Sequence, residues 1–328
     1  MPELVDSYSR RIEYLRVSVT DRCNLRCLYC MPSRGVHTIP REEILHYEEI
    51  QRLVGVAVGL GVRKVRVTGG EPLVRSGIVS LIASLARIPN LEDISLTTNG
   101  TLLEAFAAAL KEAGLRRVNI SLDTLDPKKY AHITRGDEID QVWRGIRKAL
   151  EVGLTPLKIN TVVIRGLNDG EVEEFARLTL SEPINLRFIE FMPVGARDFW
   201  RPERVVRVEE IKQRIRHLGE LRPTRIRGDG PARYFFLPGA QGTVGFIGAF
   251  SDHFCAWCNR MRITCDGRLR PCLFSETEID LRAPLRRGCS DQELVSLFLR
   301  GNRLKPRSHT LREEPDRVWR RPMSEIGG

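Results

Sequence analysis

Six times between residues 15 and 192, a short β-branched run is followed by sequence with helical spacing. The runs are LRVSVT (15–20), KVRVTG (64–69), DISLTT (93–98), RVNISLD (117–123), PLKINTVVI (156–164) and NLRFIEFM (185–192). Amphipathic stretches such as 41–60, 101–114 and 140–153 lie between them, each closing near a glycine as helices tend to. Parallel neighbours need a long crossover between strands, so this alternation implies an α/β protein with a parallel sheet. Six units predict an incomplete (β/α)6 TIM-type barrel. After a helix-like segment at 206–219 the texture changes to short strands with glycine turns, at 232–239, 242–250 and 261–274. The expected boundary falls near residue 220, giving a partial barrel over 1–220 and a small mixed C-terminal domain over 221–328.

Composition excludes several classes. With 42% hydrophobic and 29% charged residues, the chain is neither disordered nor fibrous. The longest nearly apolar run, 53–62, is half the roughly 20 residues a membrane span needs. The N-terminal residues lack the apolar core of a signal peptide, so a cytoplasmic location without a membrane partner is expected. Net charge is +10, and residues 201–328 hold 25 basic against 16 acidic side chains. These basic residues are interspersed with acidic and apolar ones and form no Lys/Arg run. That pattern favours a folded pocket for a compact anion over a nucleic-acid arm.

The eight cysteines are clustered. Cys23, Cys27 and Cys30 form C-x3-C-x2-C directly after the first strand, where a βα enzyme builds its site. Cys255, Cys258 and Cys272 form C-x2-C-x13-C, with Cys265 inside that group and Cys289 apart. Tight cysteine groups in a reducing compartment point to metal. Structural zinc and purely electron-transferring cubanes normally take four protein ligands, whereas three cysteines on a [4Fe–4S] cube leave one iron open. The competing reading of the first group is zinc with His37 as fourth ligand.

Cys23-x3-Cys27-x2-Cys30, with Tyr29 before the last cysteine, resembles the signature of radical S-adenosylmethionine (SAM) enzymes. The resemblance implies that the open iron chelates SAM and that reductive cleavage releases a deoxyadenosyl radical. Gly69-Gly70-Glu71-Pro72 resembles that family's GGEP segment near the SAM amino group, where a carboxylate suits an ammonium. By the same resemblance Tyr29, Gly70, Ser121 and Met192 line the SAM site.

The second group, in HFCAWCNRMRITCDGRLRPCLF, closely resembles the GTP 3′,8-cyclase family (molybdenum cofactor biosynthesis protein A) from about Leu15 to the C-terminus. That family carries a second three-cysteine [4Fe–4S] cluster whose open iron binds guanine. Cys265 departs from its pattern: with it, C-x2-C-x6-C-x6-C could hold a four-ligand zinc or a closed cubane without an open iron, and strand alternation argues against this. If RMRITC is extended, Arg260, Arg262 and Thr264 share one face and Met261, Ile263 and Cys265 the other, so Cys265 packs as an apolar bystander. Two arginines on one face suit a multiply charged anion.

By resemblance Arg16, Arg66, Thr97, Lys158, Arg260, Met261 and Arg262 contact GTP, with Lys64 and Arg187 as weaker candidates. Arg16, Arg260, Arg262 and the terminal Gly327-Gly328 would serve catalysis, the tail entering the site. Histidines 46, 132, 217, 253 and 309 carry no partner pattern.

The implied reaction is a lyase step in molybdenum cofactor biosynthesis. Hydrogen is abstracted from C3′ of GTP, the C3′ radical attacks C8, and reduction with protonation gives (8S)-3′,8-cyclo-7,8-dihydro-GTP. The implied partners are a ferredoxin- or flavodoxin-type reductant and cyclic pyranopterin monophosphate synthase as the next enzyme, with a homodimer left open. Two alternatives stand beside it. One is a radical SAM enzyme with an auxiliary cluster acting on a peptide, kept open by Cys265. The other is a zinc protein binding nucleic acid through its basic C-terminal part.

Overall fold

A computed structural model describes residues 2–195, 199–226, 230–252, 254–311 and 321–327. Six strands, β1 (Tyr14–Ser18), β2 (Lys64–Thr68), β3 (Asp93–Thr98), β4 (Arg117–Ser121), β5 (Lys158–Val163) and β6 (Asn185–Glu190), lie side by side in chain order. All five pairings among them are parallel. Their crossovers carry α1 (Tyr47–Gly59), α2 (Ile78–Ala86), α3 (Leu103–Glu112), α4 (Pro127–Thr134), α5 (Ile139–Glu151) and α6 (Val172–Ser181). Each strand matches its expected run to within two residues at either end. The first helix differs: Arg41–Glu43 is a single 3-10 turn, and α1 starts only at Tyr47. His46 breaks the run as an extended N-cap, its backbone N–H donating to the Glu49 carboxylate at 2.7 Å.

The C-terminal part continues the same sheet rather than packing beside it. After α7 (Val208–Ile215), β7 (Arg222–Thr224), β8 (Arg233–Phe236) and β9 (Thr243–Ile247) form an antiparallel run whose last strand joins β6 in parallel. At the opposite edge β10 (Arg260–Ile263) joins β1, also in parallel, followed by antiparallel β11 (Arg268–Arg270) and β12 (Ile279–Asp280). The full order is β12-β11-β10-β1-β2-β3-β4-β5-β6-β9-β8-β7. β9 and β10 therefore flank the six parallel strands on opposite sides, and Cys255 and Cys258 lie between them in sequence, just before β10. The remaining helices are α8 (Arg282–Arg286), α9 (Asp291–Arg303) and α10 (Met323–Ile326).

Strand alternation sorts the side chains. Leu15, Val17, Val65, Val67, Ile94, Leu96, Val118, Ile120, Ile159 and Phe188 join the helices in the main apolar core. The other face is polar. Cross-strand partners Arg16–Arg66, Arg66–Ser95, Thr97–Asn119, Asn119–Lys158 and Asn160–Arg187 run round it, and Arg262 faces Arg16 from β10. A barrel of this type is normally filled by branched apolar residues. Here the interior is set up for a polar, negatively charged occupant.

Candidate active site

The loop after β1 carries the first three cysteines. It is closed by the Cys30 and Met31 N–H groups, which donate to the Cys27 carbonyl at 3.0 and 3.1 Å. The Cys23 Sγ accepts from the Leu25 N–H at 3.4 Å and the Asn99 Nδ2 at 3.9 Å. Such donors stabilise a thiolate ligand. Burial pushes the free Cys23 thiol up to about 12, so a bound cationic cluster is what would ionise it. None of the eight cysteines is in a disulfide, and His37 lies exposed on the loop. Among the described residues no three metal-type side chains converge on a single ion. The thiols of each group are free for a larger centre, to which all three cysteines would be ligands.

Gly70 is there for the backbone of this loop. Its N–H donates to the Thr20 carbonyl at 2.7 Å, and a Cβ would sit 2.3 Å from the Arg22 carbonyl oxygen. The Glu71 carboxylate, read from sequence as suited to an ammonium, is held by the sheet itself. It accepts from the Leu73 N–H, the Thr98 hydroxyl and the Asn99 N–H at 3.0, 2.8 and 2.7 Å, tying β2 to β3. Burial raises its pKa to about 7 against those three donors. Tyr29 gives its hydroxyl to Asp123 at the end of β4, and its ring meets Phe191 edge-on at 6.2 Å. Ser121 ends β4, and Met192 packs with Tyr29, Phe191 and Met323 in a second apolar cluster. Gly195 is a position the sequence reading missed: a Cβ there would lie 2.2 Å from the Tyr29 carbonyl.

Arg16, Arg66, Arg260 and Arg262 line one cavity together with Met192 and with Cys255, Cys258 and Cys272. Thr97 and Lys158 share the polar barrel face without lining that cavity. Met261 departs from expectation. It points away from its arginine neighbours and packs in the core beside Leu269, because adjacent strand residues face opposite ways. Residues that sequence reasoning left aside also line the wall: Tyr14, Asn160, His309 and Lys305. Arg187, the weaker candidate, lies there as well, held by Tyr234, Asn160 and Asn119. His309, read from sequence as a surface or satisfied core residue, is buried at that wall, its ring packed on Phe274 at 4.9 Å.

The cations perturb one another. Burial, then neighbouring guanidinium groups, lower Arg16 and Arg66 to about 9 and Arg262 to about 10. Lys158 is pushed down to about 5 by burial and by Arg187, Arg117 and Arg66. Between pH 5 and the ordinary lysine value of 10.5, unfolding therefore takes up a proton at Lys158. Stability of the ligand-free protein should rise with pH across that window and fall as pH drops through it. Thermal melts at pH 6 and pH 9 test this: Lys158→Met should flatten the rise, and so should a saturating nucleoside triphosphate.

At the second cysteine group the cations work the other way. Burial raises the Cys258 thiol, but Arg260 and Lys305 outweigh it and bring it down to about 6. The Lys305 Nζ lies 3.5 Å from the Cys258 Sγ and donates to the Arg260 and Pro271 carbonyls at 2.7 and 2.8 Å. Cys265 does not line the cavity with this trio. It is fully buried beyond the end of β10 at Ile263, outside both apolar clusters. Burial, followed by Asp21, Asp266 and Glu325, holds its thiol far above the ordinary range.

The last described residue, Gly327, reaches Arg262 of the same cavity. The Arg262 guanidinium donates to the Gly327 carbonyl at 2.7 Å, and a Cβ on Gly327 would sit 2.4 Å from the Thr68 Cγ2. Gly328 and His253 lie outside the described residues.

Residues 17–179 match the radical SAM superfamily, and residues 184–311 match the family described as Molybdenum Cofactor Synthesis C. The GTP 3′,8-cyclase of Heliobacterium modesticaldum is 52% identical over 328 residues, 99% of this chain and 100% of that one. The GTP 3′,8-cyclase of Moorella thermoacetica is 52% identical over 326 residues, 98% of this chain and 99% of that one. The crystal structure of Streptococcus suis SuiB bound to S-adenosylmethionine superposes with a TM-score of 0.61 at 17% identity. It covers 82% of this chain and 63% of SuiB, a likeness of fold alone. No helix among the described residues is long and apolar enough to cross a membrane. A second triple-cysteine group on an arginine-lined cavity, a radical SAM match that spans the first group, and half of all residues shared along the whole length place the chain in the GTP 3′,8-cyclase family of radical SAM enzymes.

Proposed function

We propose that this chain converts GTP to (8S)-3′,8-cyclo-7,8-dihydro-GTP, the first step of molybdenum cofactor biosynthesis. The observation that carries it is the shared cavity, whose lining includes five arginines and the second cysteine trio. A [4Fe–4S] cluster on Cys23, Cys27 and Cys30, with SAM, would supply the carbon radical that abstracts hydrogen. Around it Tyr29, Gly70, Ser121 and Met192 form the SAM pocket. Arg16, Arg66, Arg262 and Lys158, with Thr97, neutralise and orient the triphosphate and ribose through charge-assisted hydrogen bonds. A second [4Fe–4S] cluster on Cys255, Cys258 and Cys272 would hold the base, with Arg260 lying 3.7 Å from the Cys258 Sγ. Holding C3′ near C8 is then a matter of preorganisation, which supplies much of the rate in intramolecular attack. Residues 1–220 would act as the radical-generating part and 221–328 as the substrate-anchoring part. The enzyme would work in the cytoplasm, drawing electrons from a small reductant protein and passing its product to cyclic pyranopterin monophosphate synthase.

Cys272→Ser is the test. Assayed anaerobically with SAM, dithionite and GTP, the reconstituted variant should keep its N-terminal cluster and lose the cyclised nucleotide. Mass spectrometry would follow that nucleotide alongside 5′-deoxyadenosine. Undiminished cyclisation would remove the second cluster from the reading, and deoxyadenosine formation indifferent to GTP in the parent enzyme would remove the substrate.

A further inference from the structure

The last described residues reach the barrel mouth through a hub of charge. The Arg321 guanidinium makes a two-pronged contact with Asp266, Nη1 to Oδ1 at 3.1 Å and Nη2 to Oδ2 at 2.9 Å. Its Nε lies 2.8 Å from the Glu278 Oε1, and its Nη1 donates to the Glu325 Oε2 at 2.9 Å. Asp266 sits in the turn between β10 and β11, and Glu278 just precedes β12. One cation therefore links two sheet segments to the tail. Arg270, buried, takes a further share of Glu278.

From that hub the path is short. The Glu325 carbonyl accepts from the Cys265 N–H at 3.4 Å, and the Gly327 N–H donates to the Met323 carbonyl at 3.0 Å. Ser324 and Ile326 are 5% and 2% exposed, so α10 is seated rather than draped. Gly327 then meets Arg262 and the ends of β1 and β2, where its φ of +77° and its closeness to Thr68 leave no room for a side chain. A four-residue helix cannot hold itself in that place, since isolated helices this short are unstable. Something outside it must.

We infer that Arg321 is the anchor of the C-terminal tail and thereby a positioning residue for the cyclisation, fixing the Gly327 carbonyl on Arg262. The role in cyclisation rests on the GTP reading above; the anchoring does not. Without the guanidinium, Asp266 and Glu278 would keep Arg268 and Arg270 as partners, whereas Glu325 on the short α10 would lose its ion pair and face two carboxylates, so repulsion would displace the tail. Arg321→Lys keeps the charge but not the planar fork, so it should fall between the parent and Arg321→Gln.

Two measurements on the iron–sulfur-loaded enzyme decide the matter. Hydrogen exchange by mass spectrometry should show the C-terminal peptide of Arg321→Gln exchanging about tenfold faster or more, as expected for local release, with β1–β6 unchanged. Turnover with SAM and GTP should show the ratio of 5′-deoxyadenosine to cyclised nucleotide rising several-fold, a change that a merely stabilising residue would not produce. Unaltered exchange in the tail would overturn the anchor. Faster exchange with an unaltered ratio would overturn its role in cyclisation. Should the parent enzyme make no cyclised nucleotide, the GTP reading fails, and the exchange measurement still decides the anchor.

Discussion

Cys27→Ser should leave reconstituted protein that forms no 5′-deoxyadenosine and holds about half of the parent's iron. Changing residues that merely orient a metal ligand costs roughly 10–100-fold, so removing a ligand outright should cost at least about a hundredfold in SAM cleavage. Cys27 is the middle of the three, and the Cys30 and Met31 N–H groups both close on its carbonyl. Serine preserves that backbone arrangement while replacing a soft sulfur by a hard oxygen, which isolates the ligand as the cause. Thermal stability of the apoprotein should change little. Iron analysis, the visible absorption of the cluster and a deoxyadenosine assay read the outcome together; full cleavage activity in the variant would refute the assignment of the N-terminal cluster.

Arg16→Leu should raise the stability of the ligand-free protein while lowering kcat/KM for GTP by about a hundredfold, the loss expected from one or two charge-assisted hydrogen bonds at about 1.5–3 kcal/mol each. The two effects share one cause. Arg16 is flanked in register by Arg66 on β2 and Arg262 on β10, and burial together with the like charges of Arg262, Arg260 and Arg187 already lowers its pKa to about 9. Removing it relieves repulsion in the empty barrel and removes attraction for the substrate. A site that is destabilising until filled shows this opposition between stability and activity. Calorimetry on the apoprotein and steady-state kinetics on the loaded enzyme would check it. A variant losing both stability and turnover would mean that Arg16 holds the fold rather than the anion.

The strands were readable because period-two runs are local, and the barrel's charge was readable for the same reason. RVSVT, KVRVT and KINTVV already place Arg16, Lys64, Arg66 and Lys158 on the face opposite Val17, Val65, Val67 and Ile159. The cysteine spacings were equally local. What escaped was set by pairing at a distance. Nothing in TVGFI or RMRI says that one joins β6 and the other β1, because any parallel edge would satisfy their hydrogen bonds. Met261 was taken along with its neighbours in a motif, although alternation itself sends it to the core. The duty of Glu71 depends on where β3 ends, and Tyr14 and His309 become wall residues only once the strands have curved. Arg321 looks like any basic residue near a terminus until Asp266 and Glu278 are brought to it.

The way β9 and β10 cap the two sides of the parallel strands also bears on how the chain is made. A ribosome delivers β1 through β6 well before residues 243–263 emerge, so for that interval β1 and β6 both present unsatisfied backbone edges. Such edges invite pairing with other chains, and late-arriving partners at both ends leave the nascent protein exposed to misassembly in the manner of large, non-local β topologies. The stretch from β9 to β10, which carries Cys255 and Cys258, is thus also the one that ends this hazard. Completing the substrate site and completing the fold are, for this chain, a single event in its synthesis.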